Sequence, residues 1–273
     1  MSIHHFFLSV YLELEQNSEE KPADTNLYSL RGPAPLHHTL LAGHTRTGVT
    51  LQTLDFKHFD HGVILDQTPP PGFEIPNPNS CTVPELLKLV TPKAAQMLVN
   101  GIRNGVFVPP VKDASWRSSK GEQKLIHATK IAPEDRHINW RDWSLAEIFK
   151  RNRVLGPLWS LARVGEQDHD RPPIMKRIIF TEIEEADPPE VLKADGSLIH
   201  EPGLPFVNDN QPTEPGQLKR LYICTSDSKF ICLRQVKVEG QQATDGVRAG
   251  LKAGILEPNM IKEGWSHFLE PLR

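Results

Sequence analysis

Long apolar runs are missing from this chain. No stretch approaches the roughly 18–20 consecutive apolar residues that a membrane-spanning helix needs, so nothing is expected to cross a membrane. Cysteine is scarce as well. Cys81, Cys224 and Cys232 are the three in 273 residues, too few and too scattered for a disulfide framework or a zinc site; reduced thiols in an intracellular compartment are expected. Positive charge is not in excess. The net charge of -3 argues against wholesale coating of nucleic acid, so any such contact needs its basic residues gathered on one face. The first residues also lack Lys and Arg before Lys21, and Glu13 and Glu15 interrupt the apolar residues between Ile3 and Leu14. A mitochondrial presequence is rich in Arg and poor in acids, so none is recognisable here. Residues 15–24 are polar and are expected to be disordered.

What is present is ordinary globular material, 38% apolar and 24% charged, enough for one large or two modest domains. The stretch Ser29 to Gln67 is the most legible part. Pro33 and Pro35 sit where a helix can begin, and Leu36, Thr39, Leu40 and Leu41 form its apolar stripe before Gly43 ends it. Thr47-Gly48 then breaks the chain ahead of a β-rich segment at Val49, Leu51 and Leu54, and a second short strand, Val63-Ile64-Leu65, follows Gly62. The loop between those strands carries Asp60, a position from which an acid can be presented to a cleft.

Further on, Pro69 to Pro78 is a proline-rich connection with Ile75 as its aliphatic anchor. Two helices are expected next, one capped by Thr82 with Pro84 inside, the other by Thr91 with Pro92 inside. Residues 108–124 read as a locally basic linker. A second unit, 125–273, opens with a helix from Leu145 to Arg153 under a Ser144/Glu147 capping box. Short strands follow at Ile178 to Phe180, Leu221 to Cys224, Phe230 to Leu233 and Val236 to Val238, which suggest a small β-barrel. A four-residue hairpin loop, Ser226 to Lys229, would set Cys224 opposite Ile231 and put Cys224 and Cys232 on opposite faces. Residues 186–189 and 208–216 read as loop insertions, and the tail from Gly246 has helix-like spacing at Val247, Leu251 and Ile255.

Arg31-Gly32-Pro33-Ala34-Pro35, Gly43, Thr47-Gly48-Val49-Thr50 and Asp60-His61-Gly62 together resemble the R-G-x-A-P, A-G, T-G-V-T and D-x-G elements of the methionyl-tRNA formyltransferase family, mitochondrial type. Ala128-Thr129-Lys130-Ile131, Glu134 and Ile138-Asn139-Trp140 are similar to the entry into its C-terminal domain. The resemblance implies an α/β plus β architecture: the later part of a Rossmann-like formyltransferase domain over 29–107, then a small OB-like β-barrel. Residues 1–28 do not fit. Where the family carries Asn-x-His and Ser-Leu-Leu-Pro, this chain reads Glu20 to Tyr28, so most of the Rossmann-like half is expected to be missing. A mis-chosen gene start or a true truncation would explain that, and would leave residues 33–66 with an uncovered apolar face or wrongly covered by residues 3–14.

Formyl transfer from 10-formyltetrahydrofolate to the amino group of Met on initiator tRNA needs donors aimed at a developing oxyanion and a carboxylate that manages protons. The resemblance assigns the carboxylate to Asp60, with Arg31, Gly32, His61 and Gly62 in the folate and substrate loop. Lys176, Arg177, Lys219, Arg220, Lys229, Arg234 and Lys237 are the candidates for tRNA contact, as a collective. His58, Asp60 and His61 are too close in sequence to converge on a metal ion, and no metal is expected. A monomer in the mitochondrial matrix, without DNA or membrane partners, is implied. Two alternatives stand beside the transferase: a catalytically dead fragment that binds RNA or protein, and a formyltransferase acting on a small amine.

Overall fold

The computed structural model describes residues 6–7, 12–14, 28–54, 62–115, 125–164, 174–187, 201–207 and 220–253. They fall into two compact units, 1–131 and 132–273, each taken by itself below.

In the first unit, strand β3 (Tyr28–Arg31) leads through the Arg-Gly loop into helix α1 (Pro35–Leu41). Pro35 occupies the first helical turn, where its missing N–H removes no intrahelical bond. The helix buries Thr39 and Leu40, and Gly43 follows its end at φ +74°, a left-handed conformation that suits glycine. Strands β4 (Arg46–Thr47), β5 (Thr50–Thr53), β6 (Ile64–Gln67) and β7 (Phe73–Glu74) come next. β5 and β6 pair antiparallel, and β1 (Phe6–Phe7) adds an antiparallel edge to β5. β2 (Leu12–Leu14) pairs antiparallel with β3, while β8 (Leu125–His127) runs parallel to β3 on its other side. The residues expected to open the second unit at Leu125 are therefore paired into the first. Among the described strands of this unit β3 and β8 make the one parallel pair, and the other pairings, β1-β5, β2-β3, β4-β7 and β5-β6, are antiparallel.

The expected uncovered face is corrected by the packing. Val49, Leu51, Ile64 and Leu65 are all buried; α2 (Val83–Arg103) packs against β5 and β6, with its Gly101 set against Leu51. That helix corrects a second expectation: it is one continuous element with Pro92 inside it. Thr91, which was to cap a second helix, instead donates its hydroxyl to the Leu87 carbonyl at 2.7 Å, one turn back along the ladder that Pro92 interrupts. The helix opens as a full capping box between Thr82 and Glu85. Ile75 is 1% exposed, the anchor its connection required.

The second unit is an antiparallel sheet. Its strands are β9 (Leu158–Val164), β10 (Ile174–Ala186), β11 (Pro205–Val207), β12 (Leu221–Cys224), β13 (Phe230–Val238) and β14 (Thr244–Asp245). The order is β11-β12-β13-β10-β9, with β14 paired to β13. Three expectations are extended here: β9 and β11 were not foreseen, β10 is 13 residues long, and the two short strands from Phe230 to Val238 are one. One face of the sheet, with Leu158, Ala162, Ile178, Phe180, Leu221, Ile223, Ile231, Leu233, Val236 and Val238, is buried with Trp140 and with Leu145 and Ile148 of α3 (Leu145–Leu155). Ala249 of α4 (Gly246–Ala253) joins the same core. Closure of this sheet into a barrel does not occur among the described strands.

Helix α3 starts under Ser144, whose hydroxyl accepts from the Glu147 N–H at 3.3 Å. The reciprocal half of the expected box is absent, because the Glu147 carboxylate turns to Lys150 and Arg151. A cap from elsewhere takes its place: the Leu145 N–H donates to Asp227 Oδ1 at 2.9 Å. The hairpin holding Asp227 is also shifted from the expected register. Cys224 lies opposite Phe230, and Tyr222 opposite Cys232, because Thr225 and Lys229 close the turn with a backbone bond and a hydroxyl bond. Cys224 and Cys232 thus share a face, as diagonal neighbours, and both are thiols. Burial pushes each of them up to about 11, helped by Asp227 beside Cys224 and Glu184 beside Cys232.

Candidate functional site

The motif glycines of the first unit are fixed by backbone contact. Gly32 has φ +133°, and a Cβ there would lie 2.3 Å from the Ala128 carbonyl oxygen. The same oxygen accepts the Ala34 N–H at 3.3 Å, so the Arg-Gly loop is seated on the segment that follows β8. Gly62 approaches Thr53 as closely: a Cβ would fall 1.6 Å from the Thr53 carbonyl oxygen. The Val63 N–H donates to Thr53 Oγ1 at 2.8 Å and the Thr53 N–H to the Val63 carbonyl at 2.9 Å. Gly32 and Gly62 therefore belong to two different sheets, each pressed on a backbone that leaves no room for a side chain. Arg31 pairs with His127 through β3 and β8. Asp60 and His61 lie outside the described residues, as do His58 and the rest of their loop.

Polar groups near these loops have distinct environments. The hydroxyls of Thr47 and Thr50, the two threonines of Thr47-Gly48-Val49-Thr50, are buried with no hydrogen-bond partner among the described residues, a state that costs about 1–3 kcal/mol per group when unmet. His38 Nε2 donates to the Thr129 carbonyl at 3.0 Å. His44, in the turn after α1, is held neutral by burial, which lowers it to about 4. Among the described residues no group of His, Cys, Asp and Glu is placed to hold a metal ion, and no helix is long and apolar enough to cross a membrane.

The basic candidates of the second unit are sorted by strand parity. Lys176 opposes Ala162 on the core-facing side of β10, at the strand's outer end. Arg177 opposes Leu161 and Lys237 opposes Ile179, both on the second face. Arg163, opposite Met175, is exposed on that face too and was not picked out from the sequence; the unrecognised strand β9 hid its parity. Arg163, Arg177 and Lys237 consequently form a diagonal across β9, β10 and β13, with neighbours about 7–8 Å apart by sheet geometry. Arg177 is braced: its guanidinium lies 4.1 Å over the Trp159 ring, which also stacks on His137 at 4.1 Å and donates its Nε1 proton to the Pro133 carbonyl at 2.9 Å. Glu239 accepts the Arg177 backbone N–H at 3.2 Å.

Arg234 and Arg220 sit further along the same face around Glu184, at 2.8 Å and 3.9 Å. A register shift between Phe180 and Ile183 of β10 exposes Glu182 beside them. Lys229 stands in the hairpin loop 3.9 Å from Asp227, away from the diagonal. Lys219 lies outside the described residues. The sequence-predicted set is therefore divided, with Arg177 and Lys237 together, Arg220 and Arg234 neutralised as a second group, and Lys176 and Lys229 apart from both.

No family model matches the chain. The mitochondrial methionyl-tRNA formyltransferase of Saccharomyces cerevisiae is 30% identical over 168 residues, 56% of this chain and 41% of that protein. Its Homo sapiens counterpart is 33% identical over 126 residues, 46% of this chain and 30% of that protein. The chain thus spans less than half the length of these curated relatives. Among solved structures, HypX from Aquifex aeolicus in complex with tetrahydrofolic acid aligns with 88% of this chain and 37% of its own at 13% identity, with a TM-score of 0.42. Methionyl-tRNA formyltransferase from Clostridium thermocellum aligns with 63% of this chain and 69% of its own at 16% identity, with a TM-score of 0.33. Over about half of its length, then, this chain is similar in sequence to the mitochondrial methionyl-tRNA formyltransferases.

Proposed function

We propose that this chain is part of a mitochondrial methionyl-tRNA formyltransferase, an enzyme that moves the formyl group of 10-formyltetrahydrofolate to the amino group of Met on initiator tRNA. The observation that carries this reading is the 30–33% identity to relatives of that name. The first unit supports it through Gly32 and Gly62, whose backbone contacts give the Arg-Gly and Asp-His-Gly elements a physical reason to be glycine. Gly32 and Gly62 have no side chain to offer the folate, so they would shape the loops from which Arg31, Asp60 and His61 reach the substrates. In that arrangement Asp60 is the carboxylate that manages protons as the amine attacks the formyl carbon and the folate nitrogen departs. The buried hydroxyls of Thr47 and Thr50 would take their partners from the assembled site.

The second unit would be the tRNA-holding part, an OB-like barrel in the complete protein, acting as a monomer in the matrix. Among these 273 residues no Asn-x-His precedes Arg31, so these residues by themselves do not include the motif that the resemblance gives as the oxyanion donors. Losing one such donor typically costs about 10²–10³ in rate. Purified chain is expected to retain initiator tRNA and to transfer no measurable formyl group. Formylation at an enzyme's normal rate would show that these residues suffice for transfer and would contradict this expectation, and failure to hold tRNA would remove the role of the second unit. Reversing Arg163, Arg177 and Lys237 to Glu together should abolish tRNA retention.

A further inference from the structure

The two basic groups on the second face of the sheet differ in what they are free to do. Arg163, Arg177 and Lys237 are displayed on a diagonal over three strands, and stacking on Trp159 holds the Arg177 guanidinium in one place. Arg220 and Arg234 instead converge on one carboxylate. The Arg234 Nε lies 2.8 Å from Glu184 Oε2 and the Arg220 Nη1 lies 3.9 Å from Glu184 Oε1. Glu182 adds a second carboxylate to the field at Arg234, so two guanidiniums meet two carboxylates. A phosphate approaching this group finds no net positive charge, and it would have to displace a charge-assisted hydrogen bond before gaining one. Glu184 comes from β10, Arg234 from β13 and Arg220 from the residue before β12, so the sheet itself sets this match.

Resting on the RNA-binding reading above, we propose that Glu184 withholds Arg220 and Arg234 from the RNA backbone, and so confines phosphate contact to the Arg163, Arg177 and Lys237 diagonal. Glu184 is on this view a positioning residue. It limits how much non-specific polyanion the unit can hold, and it fixes where along the face the strand runs. The side chains of Glu184, Arg220 and Arg234 are 37–41% exposed. Pairs this open are worth little to stability, so their arrangement can be altered without unfolding the sheet.

The test is the salt dependence of binding to a short fluorescein-labelled RNA duplex, followed by anisotropy with the whole chain. Each phosphate contact contributes roughly 0.7–0.9 to the slope of log K against log salt. Arg177→Ala is expected to make the slope shallower by about one contact, whereas Arg234→Ala should leave it unchanged. Glu184→Gln, which keeps an acceptor for Arg234 but removes the charge, should tighten binding and steepen the slope by about one to two contacts. Adding Arg220→Ala and Arg234→Ala to Glu184→Gln should return the slope to that of the unmodified chain. An unchanged slope for Glu184→Gln, or a shallower one for Arg234→Ala alone, would overturn the assignment. Absence of RNA binding by the unmodified chain would remove the RNA reading itself, which separates the two failures. If Glu184→Gln does not fold, Glu184→Ala carries the same expected steepening, and a shallower slope for Arg234→Ala still overturns the assignment.

Discussion

Single residues carry the firmest predictions. Gly32 and Gly62 each lie where a methyl group would overlap a carbonyl oxygen. Gly32→Ala adds the left-handed strain of φ +133°, which costs about 1–3 kcal/mol alone. Each Ala variant is expected to lose about 3 kcal/mol or more in urea unfolding, and a loss near zero would mean that the loop has another seat. The sequence made both glycines visible through their motifs, but not why they are glycine; that needs the approach of Ala128 and Thr53 across the fold. His44 gives a pH prediction. Burial lowers it from 6.5 to about 4, so the unfolded chain binds the proton first. Its contribution to stability is whole above about pH 6.5 and is lost as the pH falls toward 4. Between pH 7 and pH 5 the urea midpoint should fall more for the unmodified chain than for His44→Asn. An equal fall in both would show that His44 is not the group responsible.

At the scale of elements, local signals were read well wherever the decisive contact was local. The start and end of α1 and the Thr82 cap of α2 rest on neighbours within a few residues. Pro92 misled because proline read alone says that a helix begins or breaks; packing of Leu86, Val90 and Ala94 on both sides of it holds one helix through. The Ser144 box was half right because Glu147 found two cations within its own helix. Its replacement, Asp227, comes from 82 residues away and leaves no trace in the local sequence. Asp227→Ala removes the acceptor for the Leu145 N–H and for the Thr225 hydroxyl, and is expected to cost about 1–2 kcal/mol. Ser144→Ala should cost about 1 kcal/mol. If Asp227→Ala unfolds at the same urea concentration as the unmodified chain, the hairpin is not capping α3. The same hairpin explains the error over Cys224 and Cys232, since a register shifted by one residue moves every side chain to the other face.

On the scale of the whole molecule, β8 joins β3 through parallel pairing between residues far apart in sequence, a contact that no local signal announces. The antiparallel sheet could be anticipated from its apolar strands. β9, with Arg163 and Arg177's partner Leu161, was missed, since its alternation of Trp159, Leu161 and Arg163 against Leu158, Ser160 and Ala162 has apolar residues on both faces. Net charge was a poor guide to the basic face for a related reason: the positive diagonal is local, with Glu182 and Glu184 at one end of it and Glu239 on the Arg177 backbone N–H.

The central proposal is that the second unit holds initiator tRNA and that these 273 residues, among which no Asn-x-His precedes Arg31, carry loops of a formyltransferase site but do not by themselves transfer the formyl group. The measurement that tests it most directly is a formyl-transfer assay on the purified 273-residue chain, with 10-formyltetrahydrofolate and charged initiator tRNA, run beside tRNA binding on the same sample. The account predicts tRNA binding that weakens steeply with salt and no formylation. Formylation at an enzyme's rate, or a chain that ignores tRNA, would contradict it.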